Sequence, residues 1–237
     1  MNEPITPRIL RTDSHYYVGL DLGQRRDFTA IAVIHHAKHT HAAHSPIDLS
    51  PVRSEALIVR YLERIPLGTL YPDIVARVRE LLNRPALDGP VHMVVDETGV
   101  GIPVLDHLRR ARLKCRLEPF TIGEASRRDL LHNLQFLFER GQIRFAANLP
   151  MLSVVMEELR NLQDRSRPQR SLHMMSSTAS HHDDMAFALA LAAWPLRDRT
   201  PIGYQSHPLP GMPGGTRLSD MTQQELRSQL KELLQNL

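Results

Sequence analysis

A chain of 237 residues that is 42% hydrophobic and 23% charged holds enough apolar material for one globular domain and a tail beside it. Its single cysteine, Cys115, excludes an internal disulfide and a thiolate metal cluster, and the polar start MNEPITPRILRTDSH lacks a secretory pattern. No apolar run approaches the ~20 residues that span a bilayer, so the expectation is a soluble cytoplasmic protein with no membrane partner.

In chain order, residues 1–14 are expected to form a flexible leader and 15–196 one domain. HYYVGLDLG and FTAIAVIHH read as strands joined through GQRRD as a hairpin turn. HHAKHTHAAHSPIDLSPV is polar with two prolines and reads as a loop, with histidines 35, 36, 39, 41 and 44 facing solvent. EALIVRYLERI reads as a third antiparallel strand. YPDIVARVRELLNR places apolar residues at 74, 75, 78, 81 and 82, which is helical spacing, with Pro72 in the first turn. PVHMVVDETGVG is a short apolar run that fits a strand buried on both faces and ending at Asp96.

IPVLDHLRRARL then reads as a helix and CRLEPFTIG as a strand. SRRDLLHNLQFLFERG has Leu130, Leu131, Leu134, Leu137 and Phe138 on one face and stops at Gly141. QIRFA reads as a short strand, LPMLSVVMEELRNLQ as an amphipathic helix, SLHMMSS as a brief extended segment, and HHDDMAFALALAAWP as an apolar helix ending before Pro195. Prolines and glycines make 197–217 a linker. The segment 218–237 opens with a capping box at Thr222 and Glu225 and carries a leucine stripe suited to docking, self-association or a partner. The order implies an α/β fold with a mixed sheet flanked by helices.

Carboxylates sit at the edges of these elements. Asp21 lies inside the first strand, Asp27 at the start of the second, Asp96 at the end of the central strand with Glu97 next to it, and Asp183 and Asp184 at the start of the closing helix. Most have a local explanation: Asp27 shapes a turn, Asp96 accepts a backbone amide, and Asp183 or Asp184 caps a helix. Asp21 is the hardest to explain locally, because a carboxylate among apolar neighbours is costly unless it is paired. Strand ends and a helix start in an α/β sheet can converge on one crevice. Carboxylates gathered there repel one another and stay ionised only beside a cation. An oxygen-only set favours Mg²⁺ or Mn²⁺, and two such ions ~3.5–4 Å apart clamp the attacking water and leaving oxygen of a phosphodiester.

The segments VGLDLGQRRDFTAIAVI, MVVDETGVGIPVLDHL, LQFLFERGQIRFA with LPMLSVVMEELRNLQ, and HHDDMAFALALAAW occur in that order. Together they resemble the nuclease domain of tailed-phage terminase large subunits, in the ribonuclease H-like superfamily, over about residues 16–196. The resemblance implies a ribonuclease H-like fold and cleavage of double-stranded DNA with two Mg²⁺ or Mn²⁺ ions. It carries Asp21, Asp96 and one of Asp183 and Asp184 over as metal-binding acids, and Asp27 as an accessory acid. It also suggests a packaging ATPase or portal as a partner. His181-x-x-Asp184 resembles the final motif of Holliday-junction resolvases of the same superfamily, which makes branched DNA an alternative substrate. Two departures stand out: no GxxxxGK[ST] motif occurs, and Phe187 stands where an aspartate is common after the acidic pair.

Other features bear on partners. From Arg109 to Arg170 there are 13 Lys/Arg against 7 Asp/Glu, the bias a nucleic-acid surface needs. Arg25 and Arg26 flank the first acidic turn, and Arg127 and Arg128 with Lys114, Arg116 and Arg144 are candidates for one phosphate-contacting face. Such contacts position a duplex without reading it. The 5% aromatic content argues against a single-strand stacking platform. His181 and His182, beside the acids, are candidates to orient a carboxylate or a water. Two readings compete with the nuclease. One is the actin-like ATPase and sugar-kinase group, whose first strand carries G-x-D-x-G. The other is a fold that docks DNA or an ATPase without cutting.

Overall fold

The computed structural model describes residues 9–23, 27–42, 52–98, 101–165 and 182–198. Six strands form one mixed sheet: β1 (Ile9–Asp21), β2 (Thr29–His41), β3 (Val52–Ile65), β4 (Val91–Asp96), β5 (Arg116–Phe120) and β6 (Ile143–Phe145). The helices are α1 (Tyr71–Leu82), α2 (Gly101–Arg110), α3 (Glu124–Glu139), α4 (Leu152–Arg165) and α5 (Asp184–Ala193), followed by a 3-10 turn over Trp194–Leu196. The strand order is β5-β4-β1-β2-β3-β6. The first three strands form an antiparallel meander, whereas β4 runs parallel to β1, β5 parallel to β4 and β6 parallel to β3. This is the ribonuclease H-like α/β architecture, a mixed sheet flanked by helices.

Strand alternation divides the core between the two faces. Tyr16, Val18, Leu20 and Leu22 point with Met93 and Val95 toward α1 and α2. Tyr17 and Val94 point the other way, toward α3, α4 and α5. The apolar positions read as helical in α1 and α3 are the buried ones in both. At Gly141, φ is 66°, a left-handed stop that leaves its amide on the Phe138 carbonyl at 2.9 Å.

The meander is longer than its apolar residues suggest. Residues 9–14, expected in a flexible leader, are part of β1, and Ser14 pairs with Ala37. Residues 35–41, expected in a solvent-facing histidine loop, continue β2, and His36, His39 and His41 are buried. Backbone pairing on both edges holds them there, and each ring has a local partner. His35 stacks on Tyr16 with centroids 4.7 Å apart, and burial lowers its pKa to about 4, so it packs as a neutral ring. His36 lies 2.8 Å from Glu55, His39 2.9 Å from Thr12 and His41 2.7 Å from Ser54. His44, the extended segment expected at SLHMMSS, the linker beyond Asp198 and the C-terminal leucine helix lie outside the described residues. The closing helix ends at Ala193, and Pro195 sits within the 3-10 turn.

One close approach sets the position of α5. A β-carbon on Gly19 would overlap the Ala188 carbonyl oxygen and lie 2.5 Å from the Ala192 amide nitrogen. Glycine in the strand and alanines in the helix therefore let two backbones touch. From that point, Asp21 lies two residues along β1, ~7 Å, and Asp184 lies four residues back along α5, ~6 Å. Both steps lead to the same end of the sheet.

Candidate active site

At that end, Asp21, Asp27, Asp96, Asp183 and Asp184 line one open cleft of about 290 Å³, with Gly23, Phe28, Thr98, Arg127, His182 and Phe187. The strand ends supply Asp21 and Asp96, and the start of α5 supplies the acidic pair. Asp183 does not serve as a simple cap: it stands at the N-cap position of α5 without a side-chain cap hydrogen bond.

Each carboxylate is held differently. The Thr98 amide donates to Asp96 Oδ1 at 2.8 Å, and the Thr98 hydroxyl accepts the Ile122 amide at 2.7 Å. The turn after β4 is thus tied to the segment after β5. Thr98→Val should lower stability by about 1 kcal/mol because the Ile122 amide loses its acceptor, read by urea denaturation. Asp184 Oδ2 accepts from Arg64 Nε at 2.8 Å, and Arg127 Nη2 donates to Asp183 Oδ2 at 2.6 Å while its guanidinium lies 4.2 Å from the centre of the Phe187 ring. His182 packs edge-on to Phe28, with Nδ1 3.9 Å from Asp184 Oδ1.

Asp21 differs from Asp96, Asp183 and Asp184. Among the described residues its carboxylate, like that of the exposed Asp27, has no hydrogen-bond or ion-pair partner, although it opens into the cleft. Burial, then the charges of Asp96, Asp184, Asp183 and Glu158, raise its pKa well above the usual carboxylate range. Burial also raises Asp96, opposed by the hydrogen bonds from Thr98, and raises Asp184, opposed by Arg64.

Two residues of this network do not stand out in the sequence. Glu158 of α4 is buried, accepts the Ala186 amide at 2.8 Å and pairs with Arg64, which therefore bridges Glu158 and Asp184. A signal for it exists: positions 155, 158, 159 and 162 follow helical spacing, so this glutamate interrupts an apolar stripe. Arg64 has no such signal. Val33 pairs with Tyr61 and Ile34 with Val59, so Arg60 is an extra residue in β3. Leu57 and Val59 before this bulge share a face with Leu62 after it, which also turns Arg64 toward α5.

Not every expected residue reaches the cleft. Glu97 accepts the Thr121 hydroxyl at 2.7 Å and is not among the lining residues. His181, Arg25 and Arg26 lie outside the described residues. The single basic face does not form. Arg127 is on the cleft wall beside Asp183, and Arg128 is exposed on the same helix. Arg116 is exposed at the start of β5, four residues from the cleft end, with Lys114 just before it, and Arg144 lies on β6 at the opposite edge of the sheet. Strand order separates these arginines although they fall in one stretch of sequence.

The donor chemistry suits a hard divalent cation: several carboxylates, an unpartnered Asp21 and no thiolate. Among the described residues, no three or more His, Cys, Asp or Glu side chains form a group that could hold a metal ion as they stand, and arginines hold oxygens of Asp183 and Asp184. No helix among them is long and apolar enough to cross a membrane. Comparison with protein-family models and with curated proteins finds no match for this chain.

Proposed function

We propose that this chain is a metal-dependent endonuclease that hydrolyses phosphodiester bonds of duplex DNA in the acidic cleft. The observation that carries the reading is Asp21: a carboxylate without a partner among the described residues, in a cleft that Asp96, Asp183 and Asp184 also line. Burial, reinforced by the charges of its neighbours, raises the Asp21 pKa, and a cation in the cleft would offset both. Asp21, Asp96, Asp184 and Asp183 would hold Mg²⁺ or Mn²⁺. Bound there, such ions supply Lewis-acid stabilisation and a water nucleophile at neutral pH.

The protein's own groups prepare that site. Thr98 fixes one oxygen of Asp96, and Arg64 fixes one oxygen of Asp184, so both carboxylates are held in position beside Asp21. Glu158 anchors Arg64 from below and takes the Ala186 amide near the start of α5. Arg127, part-exposed on the wall beside Asp183, would meet a phosphate oxygen as DNA enters.

Nicking of supercoiled plasmid tests the reading. The intact chain should convert it to open-circle or linear form with Mg²⁺ or Mn²⁺ and not with EDTA, and Asp96→Asn should lower that rate by at least ~100-fold. Absence of cutting by the intact chain with either ion, on both linear and four-way substrates, would overturn the proposal.

A further inference from the structure

A second set of basic residues lies away from the cleft. The last turn of α2 carries His107, Arg109 and Arg110, and Arg112, Lys114 and Arg116 follow before and into β5. All six are exposed. Within this stretch Arg109 lies 3.3 Å from Asp106, and Arg116 lies 3.7 Å from Glu118. Arg110, Arg112 and Lys114 have no ion-pair partner among the described residues. From α1, the exposed Arg79 donates to the Ala111 carbonyl at 3.2 Å, which places another cation beside them.

Some of this charge suits a helix C-terminus, where cations meet the exposed carbonyls. That accounts for the last turn of α2 and not for Arg112, Lys114 and Arg116, which lie beyond it. Arg112 also adopts φ 48°, the left-handed conformation that glycine fills at least cost after a helix. An arginine there keeps a charge at the expense of backbone ease.

We infer that this patch at the C-terminal end of α2 binds the phosphate backbone of duplex DNA outside the cleft. The choice of DNA over another polyanion rests on the reading of the cleft as a nuclease site. Arg116 pairs with His92, and Phe120 with Asp96, so the patch begins ~13 Å back along the sheet from the acidic end. A duplex with its axis along the strands, at ~3.4 Å of axis per base pair, would meet the patch about four base pairs from the cleft. It lengthens the footprint and contributes affinity without base recognition.

Fluorescence anisotropy of a 30-base-pair duplex without divalent ions tests this, with salt varied over about 50–200 mM. The triple variant Arg110→Ser, Arg112→Gly, Lys114→Ser should lower the slope of log affinity against log salt by about two to three, at roughly 0.9 for each phosphate no longer neutralised. A control triple, Arg11→Ser, Arg53→Ser, Arg160→Ser, removes the same charge elsewhere and should leave the slope nearly unchanged. Arg112→Gly alone should raise the melting temperature while lowering DNA affinity, a pairing of signs that a merely structural residue would not give. An unchanged slope in the patch triple, or an equal drop in the control, overturns the inference. So does patch-dependent binding to phosphatidylserine vesicles without binding to the duplex. If the chain binds duplex through the patch and cuts nothing with either metal, the patch stands and the nuclease reading falls. Cutting with an unaltered salt slope gives the reverse.

Discussion

Asp21→Asn is expected to abolish nicking and, in the absence of divalent ions, to make the protein more stable. The two effects have one origin. Asp21 is surrounded by Asp96, Asp183, Asp184 and Glu158, and burial with their charges raises its pKa well above the usual carboxylate range. The folded state therefore binds the Asp21 proton more tightly than the unfolded chain. Its contribution to metal-free stability is greatest below the ordinary aspartate range and is lost as pH rises through the elevated folded value. Above the ordinary aspartate range this carboxyl works against folding, and asparagine relieves the burial and repulsion of its charge by roughly 1–3 kcal/mol.

Divalent ions should reverse the sign, because a cation that binds only the folded cluster would stabilise it by mass action. Thermal melts at pH 5 and pH 8, with and without Mn²⁺, read the whole pattern. The intact chain should melt lower at pH 8 than at pH 5 without metal and recover with Mn²⁺. Asp21→Asn should show a shallower pH dependence and little response to Mn²⁺. Equal pH slopes in the two proteins would remove Asp21 from the repulsive cluster, and retained nicking by the variant would remove it from the chemistry.

Gly19→Val should be the most damaging single change to the fold, costing more than about 3 kcal/mol. Its β-carbon would meet backbone atoms of Ala188 and Ala192, which cannot turn aside as a flexible side chain can. Either α5 lifts from β1 or the strand bends. The helix that must move is fully buried along its length and carries Asp184 at its first position. Urea denaturation should show the loss of stability, and any folded remainder should be nearly inactive because Asp184 has left the position of Asp21. A Gly19→Val protein with near-normal stability and nicking would show that α5 is not seated by this close approach. With a typical domain stability of about 5–15 kcal/mol, the variant should lie close to the unfolding threshold at 37 °C.

Much of this molecule is legible locally. Helical spacing identifies the buried faces of α1 and α3, because the helix period places those residues on one side whatever lies opposite. The apolar run of β4 and its end at Asp96 are equally direct. The acids that line the cleft stand out because charge at the edge of an apolar element is conspicuous. The same local logic misplaces residues 9–14 and the histidines at 36, 39 and 41, since the strand status of a polar segment is conferred by neighbouring strands.

What the amino-acid sequence determined by itself is the α/β alternation, the mixed sheet and the set of carboxylates available for a site. Tertiary structure alone decided which charges meet. It split a single basic stretch between the cleft wall, the end of α2 and the far edge of the sheet. It brought Arg64 to Asp184 across 120 positions of chain through a one-residue bulge, and Glu158 to the same arginine from a third element. The physical reason is that periodicity reports the burial of one element at a time, whereas the pairing of charges depends on strand order, bulges and the close approach of a helix to a glycine.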